Sequence, residues 1–551
     1  MANRVLKVHP DDNVIVALQP LKAGESVTLG DQTYAPAEDI KVKHKFTEEA
    51  LQPGDEIRMY GVLVGKATQS IPKGGRITTE NVKHEAEGYD LDSLEPASWV
   101  EPDISKFEGR TFMGFHRPDG KIGTRNYWLV IPLVFCENRN IKVIEDAMVE
   151  ELGYMSGKSF SVDVRQLVDM QKQGAAPEAI LEANIIRTGQ QAAEDRLFPN
   201  VDGIKFLRHD GGCGGIRQDS ETLLRLLSGY ITSPNVAGAT ILSLGCQNAQ
   251  VSLFEKTLKE VDPNFNKPLY ILEQQKSKSE RDLIAEAVKK TFVGLMHANE
   301  FKREPAPLSA LTLGLECGGS DGFSGISANP ALGYASDLLV ALGGTAILSE
   351  FPELNGVEQE LVNRCVDRPN AEKFVNLMST YAKRAVEVGS GFDMNPSPGN
   401  IKDGLITDAM KSAGAAKKGG TSPVMEVLDY TELATKPGLN LLCTPGNDVE
   451  STTGLAGSWA NMIVFTTGLG TPTGNPIAPV IKLSSNTDLS TRMSDIIDLD
   501  AGTIISGEDT IESLGEKLLD LIIRIASGEE RAKAELLGQD DFIPWKRGIS
   551  L

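Results

Sequence analysis

The sequence predicts an α/β protein built on mainly parallel sheets and preceded by a small, separate β-rich segment. Three observations predict it. Five apolar runs, Gly203–Leu207, Ala239–Leu244, Leu311–Leu315, Leu439–Leu442 and Asn461–Phe465, each end abruptly in small, polar or thiol residues. Strands buried on both faces read as continuous apolar runs, so a parallel sheet with one crowded edge is expected. Helical periodicity separates the runs, at Ser220–Ile231, Arg281–Asn299, Ala371–Val388 and Ile511–Ala526. The stretch LTLGLECGGSDGFSGISANP then shows the unit in full. An apolar run meets Glu316 and Cys317, a Gly-rich loop follows, Asn329-Pro330 is expected to open a helix, and TAILSE is the next strand. Open α/β sheets build their sites at such strand ends.

Taken in order, residues 1–87 are expected to be β-rich, with GDEIRMYGVLVGKA a hairpin turning near Tyr60-Gly61. Residues 88–109 are acidic, carry proline and lack periodicity, which marks a linker. Two α/β portions follow, 110–305 and 306–551, and the loop-rich stretch Gly389–Gly420 reads as a boundary or a lid. The net charge of −21 argues against nucleic acid and anionic membrane as partners but leaves room for a small anionic substrate in a local basic pocket. The first residues lack the apolar core of a signal peptide, and the six cysteines are scattered without a CxxC. A reducing cytoplasm is the expected location.

Several loops carry chemistry. His209 and Cys213 share one glycine-rich loop, and imidazole with thiolate suits a metal ion or acid–base work. Glu316 and Cys317 end the strand described above and are followed by Ser320 and Asp321. Arg125 and Asn126 have the chemistry to grip a carboxylate, Arg by its bidentate fork. Asn395–Gly404, Lys417–Thr421 and Thr466–Gly474, with Thr466 and Thr467, have backbone N–H groups and hydroxyls for a polar ligand. No Walker or dinucleotide fingerprint is present, so no nucleotide cofactor is expected.

The strings FHRPDGKIGTRNYW, HDGGCGG, LGLECGGSDGFSGISANPALG, NPSPGN, KGGT, CTPGND and FTTGLGTPTGNPIAPVIKLSSNT, in order from about residue 110 to 490, resemble the altronate dehydratase / galactarate dehydratase family. The first 87 residues resemble that family's SAF-type β-clip module. The resemblance implies a sugar-acid hydro-lyase using Fe²⁺ or Mn²⁺, with D-altronate the leading substrate and a homodimer or larger homo-oligomer the expected assembly. It implies catalytic roles for His209, Cys213, Glu316, Cys317 and His44. Substrate contacts would come from Arg125, Asn126, Ser320, Asp321, Thr466 and Thr467, and metal ligands from His44, His84, His209 and Cys213. Galactarate dehydration and sulfolactate desulfonation are alternatives within the family, and a non-catalytic sugar-acid binder lies outside it. A cubane iron–sulfur cluster on Cys213, Cys246 and Cys317 is a further expectation to be weighed.

Overall fold

The computed structural model describes residues 4–92, 98–154, 160–188 and 196–548. Two all-parallel sheets dominate it, so the apolar runs do not share a single edge. The first sheet has four strands, β1 (Tyr127–Pro132), β2 (Gly203–Phe206), β3 (Val236–Ser243) and β4 (Leu269–Glu273), in the order β2-β1-β3-β4. The second has seven: β5 (Thr312–Cys317), β6 (Thr345–Leu348), β7 (Val424–Leu428), β8 (Gly438–Leu442), β9 (Met462–Thr467), β10 (Val480–Ser484) and β11 (Leu499–Asp500). Their order is β7-β8-β6-β5-β9-β10-β11. Every residue of β1, β3, β6, β8, β9 and β10 is buried, which is why these strands show no polar alternation.

The β5–β6 crossover is the helix α1 (Ala328–Ala341). Its N-cap is Ser327, not Asn329. Asn329 is spent inside the protein, where its amide donates to the Gly414 carbonyl and its Oδ1 accepts from Thr466 Oγ1 at 2.7 Å. The two sheets share one apolar core: Leu129, Ile131 and Ile241 of the first pack in the same cluster as Ile347, Leu442, Ile463 and Val480 of the second. The helix Arg217–Thr232 crosses α3 (Asp448–Gly457) at Gly229, where a Cβ would lie 2.0 Å from the Gly457 carbonyl. Only glycine permits that approach.

The N-terminal residues form small antiparallel sheets, among them the hairpin Glu56–Met59 with Val62–Ala67. Its turn residues Tyr60 and Gly61 both have positive φ, +63° and +79°, as a tight two-residue hairpin requires. The segment is not a free appendage. Val14, Val16, Ile57, Met59, Tyr60 and Val64 lie in the same core cluster as Leu313, Phe323 and Met410. Phe107, inside the expected linker, is fully buried in that cluster too. No helix among the described residues is long and apolar enough to cross a membrane.

Arg125 and Asn126 are both engaged by groups of their own chain. The Arg125 guanidinium is buried and gives its fork to Glu535, with Nε and Nη2 each 2.8 Å from a carboxylate oxygen, while Nη1 donates to the Thr124 and Ile525 carbonyls. Asn126 accepts from Arg117 and donates to the carbonyls of Asn200 and Ala298. The carboxylate that Arg125 grips belongs to its own chain, 410 residues away in sequence. Removing one partner of a buried ion pair strands the other, at a cost of about 3–5 kcal/mol. Arg125→Ala is therefore expected to lower stability by about that amount in urea titrations. A folded fraction with unchanged stability and a raised KM would return Arg125 to the substrate pocket.

Candidate active site

The seven-stranded sheet gathers its polar residues where β5, β6 and β8 end. Glu316 and Cys317 are the last residues of β5; Glu350 and Glu353 follow β6; Thr444 follows β8. Two lysines complete the group: Lys411 on α2 (Asp408–Ala416) and Lys418 in the turn after it. All are buried. Lys418 Nζ lies 2.5 Å from Glu350 Oε2 and 2.8 Å from Cys317 Sγ. Lys411 Nζ lies 2.5 Å from Glu353 Oε1 and 2.7 Å from Asn395 Oδ1. The Cys317 thiol donates to Glu353 Oε2, and its backbone N–H donates to Glu350 Oε2. Glu316 Oε2 accepts from Ser349 Oγ at 2.9 Å and Ser451 Oγ at 2.6 Å.

Protonation follows from this packing. Burial, reinforced by the Glu350 carboxylate, holds the Glu316 carboxyl well above the usual carboxylate range. Burial and the two flanking carboxylates likewise push the Cys317 thiol far up, so it remains a thiol that donates. Burial raises Glu350 as well, against the opposing pull of Lys418. At Glu353 burial also pushes upward, but Lys411 and Lys418 outweigh it and leave the carboxyl below its ordinary value. Burial alone would discharge Lys418; the surrounding Cys317, Glu350 and Glu353 outweigh it and keep the ammonium charged. With Glu316 and Cys317 protonated, two carboxylates face two ammonium groups and the centre is close to neutral.

Asp448 stands at the outer side of this group. It is the first residue of α3, capped by the Asn447 side chain, and its Oδ2 sits where a Cβ on Gly318 would be, only 2.2 Å away. Its carboxylate makes no hydrogen bond among the described residues and is partly exposed. Burial, then Glu350 and Glu353, push its pKa up to about 7, against Lys482 and Lys411. A proton acceptor with that value, unpaired at the rim of a buried acid cluster, is equipped for general base work near neutral pH.

A metal ion would also find donors here. Cys317, Glu350 and Glu353 each offer one ligand atom within 4.8 Å of the others, and among the described residues no other such group of His, Cys, Asp and Glu forms. Glu316 Oε1 and Glu350 Oε1 are buried without a hydrogen-bond partner. On giving up its proton to a bound ion the Cys317 sulfur would join two hard carboxylates, a donor set that suits a divalent first-row ion, so these residues fit one.

The histidines do otherwise than expected. His209 Nε2 donates to the Pro132 carbonyl at 2.7 Å and Nδ1 accepts from the Gly211 N–H, so both ring nitrogens are engaged in holding a loop. Burial lowers its pKa and keeps it neutral. His44 Nε2 donates to the Lys402 carbonyl, and His84 Nδ1 accepts from the Ala409 N–H. Both pin the backbone that leads into α2, as do Lys45 Nζ on the Gly404 carbonyl and Thr407 Oγ1 on the Val64 carbonyl. Cys213 is exposed at the end of the other sheet. Asp321 is consumed by Ser324, Ser485, Asn486 and the Lys43 ion pair at 2.8 Å. Ser320 gives its carbonyl to Asn400, and Thr467 Oγ1 accepts from Gly470 and Thr471 N–H. Of the expected residues, Glu316 and Cys317 lie within the acid cluster, and Thr466 reaches it by a 3.4 Å contact with the Glu316 carbonyl. Lys418 comes from the Lys417–Thr421 loop expected to meet a polar ligand, whereas Glu350, Glu353, Lys411 and Asp448 lie outside the expected site residues, although SEFPE after TAIL carries a signal of the same strand-end kind.

A buried set of carboxylates and lysines at the carboxyl edge of a parallel sheet is an arrangement that acid–base enzymes use. Comparison with known proteins says which. The family model "Altronate/galactarate dehydratase SAF domain" matches residues 3–85, "D-galactarate dehydratase/Altronate hydrolase, second domain" matches 114–299, and "D-galactarate/Altronate dehydratase, C-terminal" matches 308–550. The altronate dehydratase of Escherichia coli (strain K12) is 32% identical over 95% of both chains. That of Bacillus subtilis (strain 168) is 33% identical, again over 95% of both. The galactarate dehydratase (L-threo-forming) of E. coli is 31% identical over 97% of this chain and 94% of its own. The chain belongs to the altronate/galactarate dehydratase family and is a carbon–oxygen hydro-lyase.

The raised Asp448 pKa has a cost in stability. An unfolded Asp ionises near pH 3.9, whereas the folded group titrates at about 7. Between those values the unfolded state loses its proton first, so stability falls as pH rises through that window. Asp448→Asn removes the effect. Its melting temperature is expected to match the wild type near pH 4 and exceed it at pH 8; an equal difference at both would refute the assignment.

Proposed function

We propose that the chain dehydrates an aldonic acid, D-altronate first among candidates, to 2-keto-3-deoxy-D-gluconate and water. The supporting observation is the pairing of an unpaired, near-neutral carboxylate at the rim, Asp448, with a proton-bearing carboxyl inside, Glu316. In this reading Asp448 takes the proton from C2. The electron pair of that C–H bond becomes the C2–C3 double bond, and the C3–O bond breaks. Glu316 gives its proton to the departing hydroxyl, which leaves as water. The enol then tautomerises, its O–H proton returning to the acid and C3 receiving the proton held by Asp448. Lys411 and Lys418 stand fixed beside the cluster, where positive charge stabilises the anionic carboxylate and the enediolate character that develops on it.

Cys317, Glu350 and Glu353 would hold a divalent cation, Fe²⁺ or Mn²⁺ in this proposal, which when bound supplies Lewis-acid polarisation of the acid and its 2-hydroxyl. The N-terminal residues 1–87 would act through position: His44, Lys45, Val64 and His84 fix the segment that carries Lys411. We place the divisions of the chain at 1–87, 88–109, 110–305 and 306–551. The reaction is proposed to run in the cytoplasm.

Purified protein, supplied with Fe²⁺ or Mn²⁺ under anaerobic conditions, should release a 2-oxo acid from altronate with a higher kcat/KM than from galactarate or sulfolactate. A preference for galactarate would move the substrate to the other branch of the family, and no 2-oxo acid from any would defeat the reading. Glu316→Gln is isosteric and should lower kcat by at least about 100-fold, the scale of one acid–base group.

A further inference from the structure

Three of the six cysteines are exposed, Cys136, Cys213 and Cys246, and all three stand at the carboxyl edge of the four-stranded sheet. Cys136 follows β1, Cys213 follows β2 and Cys246 follows β3, and these strands are neighbours in the order β2-β1-β3. In sequence they are 77 and 33 residues apart (213 − 136 and 246 − 213), so only the strand order unites them. The three loops are tied to one another by backbone contacts. The Phe135 N–H donates to the Gly211 carbonyl at 3.1 Å, and the Ala249 N–H donates to the Gly212 carbonyl at 3.1 Å. Gly212, at φ +93°, lies so close to β1's exit that a Cβ would fall 2.0 Å from the Leu133 carbonyl. Asn138 Nδ2 reaches the His209 carbonyl at 2.7 Å, and Gln247 braces its own loop through Ser243 and Ala249. His209, engaged at both nitrogens, anchors the central loop to Pro132.

Cysteine is among the residue types most often buried, and an exposed thiol is a liability to oxidation. Three on mutually braced loops, beside glycines that leave their flanks open, call for a physical reason. At Gly214 an added Cβ would meet nothing within 4 Å. A second observation points to a ligand: directly after Cys136, Glu137 Oε1 and Asn138 Oδ1 are buried without any hydrogen-bond partner. A buried oxygen without a partner is costly, and these two directly follow the first of the three thiols in sequence. Cys317, by contrast, is buried in the acid cluster of the other sheet, bonded to Glu353 and Lys418.

We propose that Cys136, Cys213 and Cys246 bind an iron–sulfur cluster of the cubane type, with one iron left without a protein sulfur. Iron–sulfur clusters are held by thiolates, normally four to a cubane, so three leave one iron for an oxygen donor. The Cys213 loop also comes near α3. Asp210, in the Cys213 loop, is close enough to Glu450 of α3 to raise its pKa along with burial, and Glu450 stands two residues beyond Asp448. The cluster is proposed on the three loops alone. It stands apart from the choice of substrate, and a chain without a cluster that still dehydrates a sugar acid would leave the preceding reading intact.

The test is the iron and acid-labile sulfide content of full-length protein prepared anaerobically and reconstituted with Fe²⁺ and sulfide. About four of each per chain are expected, with broad visible absorption and an electron paramagnetic resonance signal in one oxidation state. Cys136→Ser, Cys213→Ser and Cys246→Ser should each lose most of the sulfide, while Cys365→Ser, just after the helix Glu358–Arg364 in the other portion, should keep it. Circular dichroism establishes that each variant is folded. Absence of labile sulfide in the reconstituted wild type, iron without sulfide, or undiminished sulfide in folded variants of the three cysteines would each overturn the proposal.

Discussion

The burial of several carboxyl groups together is the constraint around which the catalytic portion is arranged. Isolated, an ionised carboxylate in the interior costs several kcal/mol even after relaxation, and Glu316, Glu350 and Glu353 are all buried at adjoining strand ends. The chain meets that cost in two ways. Glu316 keeps its proton and leans on two serine hydroxyls. Glu350 and Glu353 are each given an ammonium group at 2.5 Å. Both lysines come from one short stretch, α2 and the turn after it, so the placement of that stretch decides whether the cluster is tolerable at all.

That dependence explains the N-terminal segment better than metal ligation does. His44, Lys45, Val64 and His84 reach the segment 402–409 through single hydrogen bonds to its backbone or to its capping threonine. Tyr60 packs against the glycine pair Gly325 and Gly414, one on each side of the junction between the Glu316 loop and α2. None of these contacts touches a carboxylate of the cluster. They set the position of the helix that carries Lys411, and through it the charge balance of a site whose other half comes from the seven-stranded sheet.

How far the site was legible follows the same division. Glu316 and Cys317 could be read because strand periodicity ends at them and a glycine-rich loop begins, a local signal. Their partners could not, since nothing near Lys411 or Lys418 in sequence says which carboxylate either will meet. Arg125-Asn126 shows the converse case. An Arg beside an Asn after a turn has the chemistry of substrate recognition, but Glu535 answers it from the far end of the chain. His209 misleads for a related reason: a histidine among glycines looks free, yet those glycines let the loop fold back so that backbone groups occupy both ring nitrogens. The parallel strands were legible as apolar runs, but their partition into two sheets was not, because a run fully buried on both faces carries no mark of its neighbours.

The two sheets also differ in what they hold at equivalent edges. The seven-stranded sheet ends in carboxylates and lysines, closed in and nearly neutral, whereas the four-stranded sheet ends in open glycine loops and exposed thiols. Because the sheets share one core and the helices Arg217–Thr232 and α3 cross at Gly229 and Gly457, neither edge can shift far without the other. A reaction that must take a proton from one carbon and release a hydroxide from the next needs two chemistries at fixed separation. Asp448 at the head of α3 and Glu316 at the end of β5 supply both within the acid–base edge, and the glycine crossing at 229 and 457 seats α3, and with it Asp448, against the helix Arg217–Thr232.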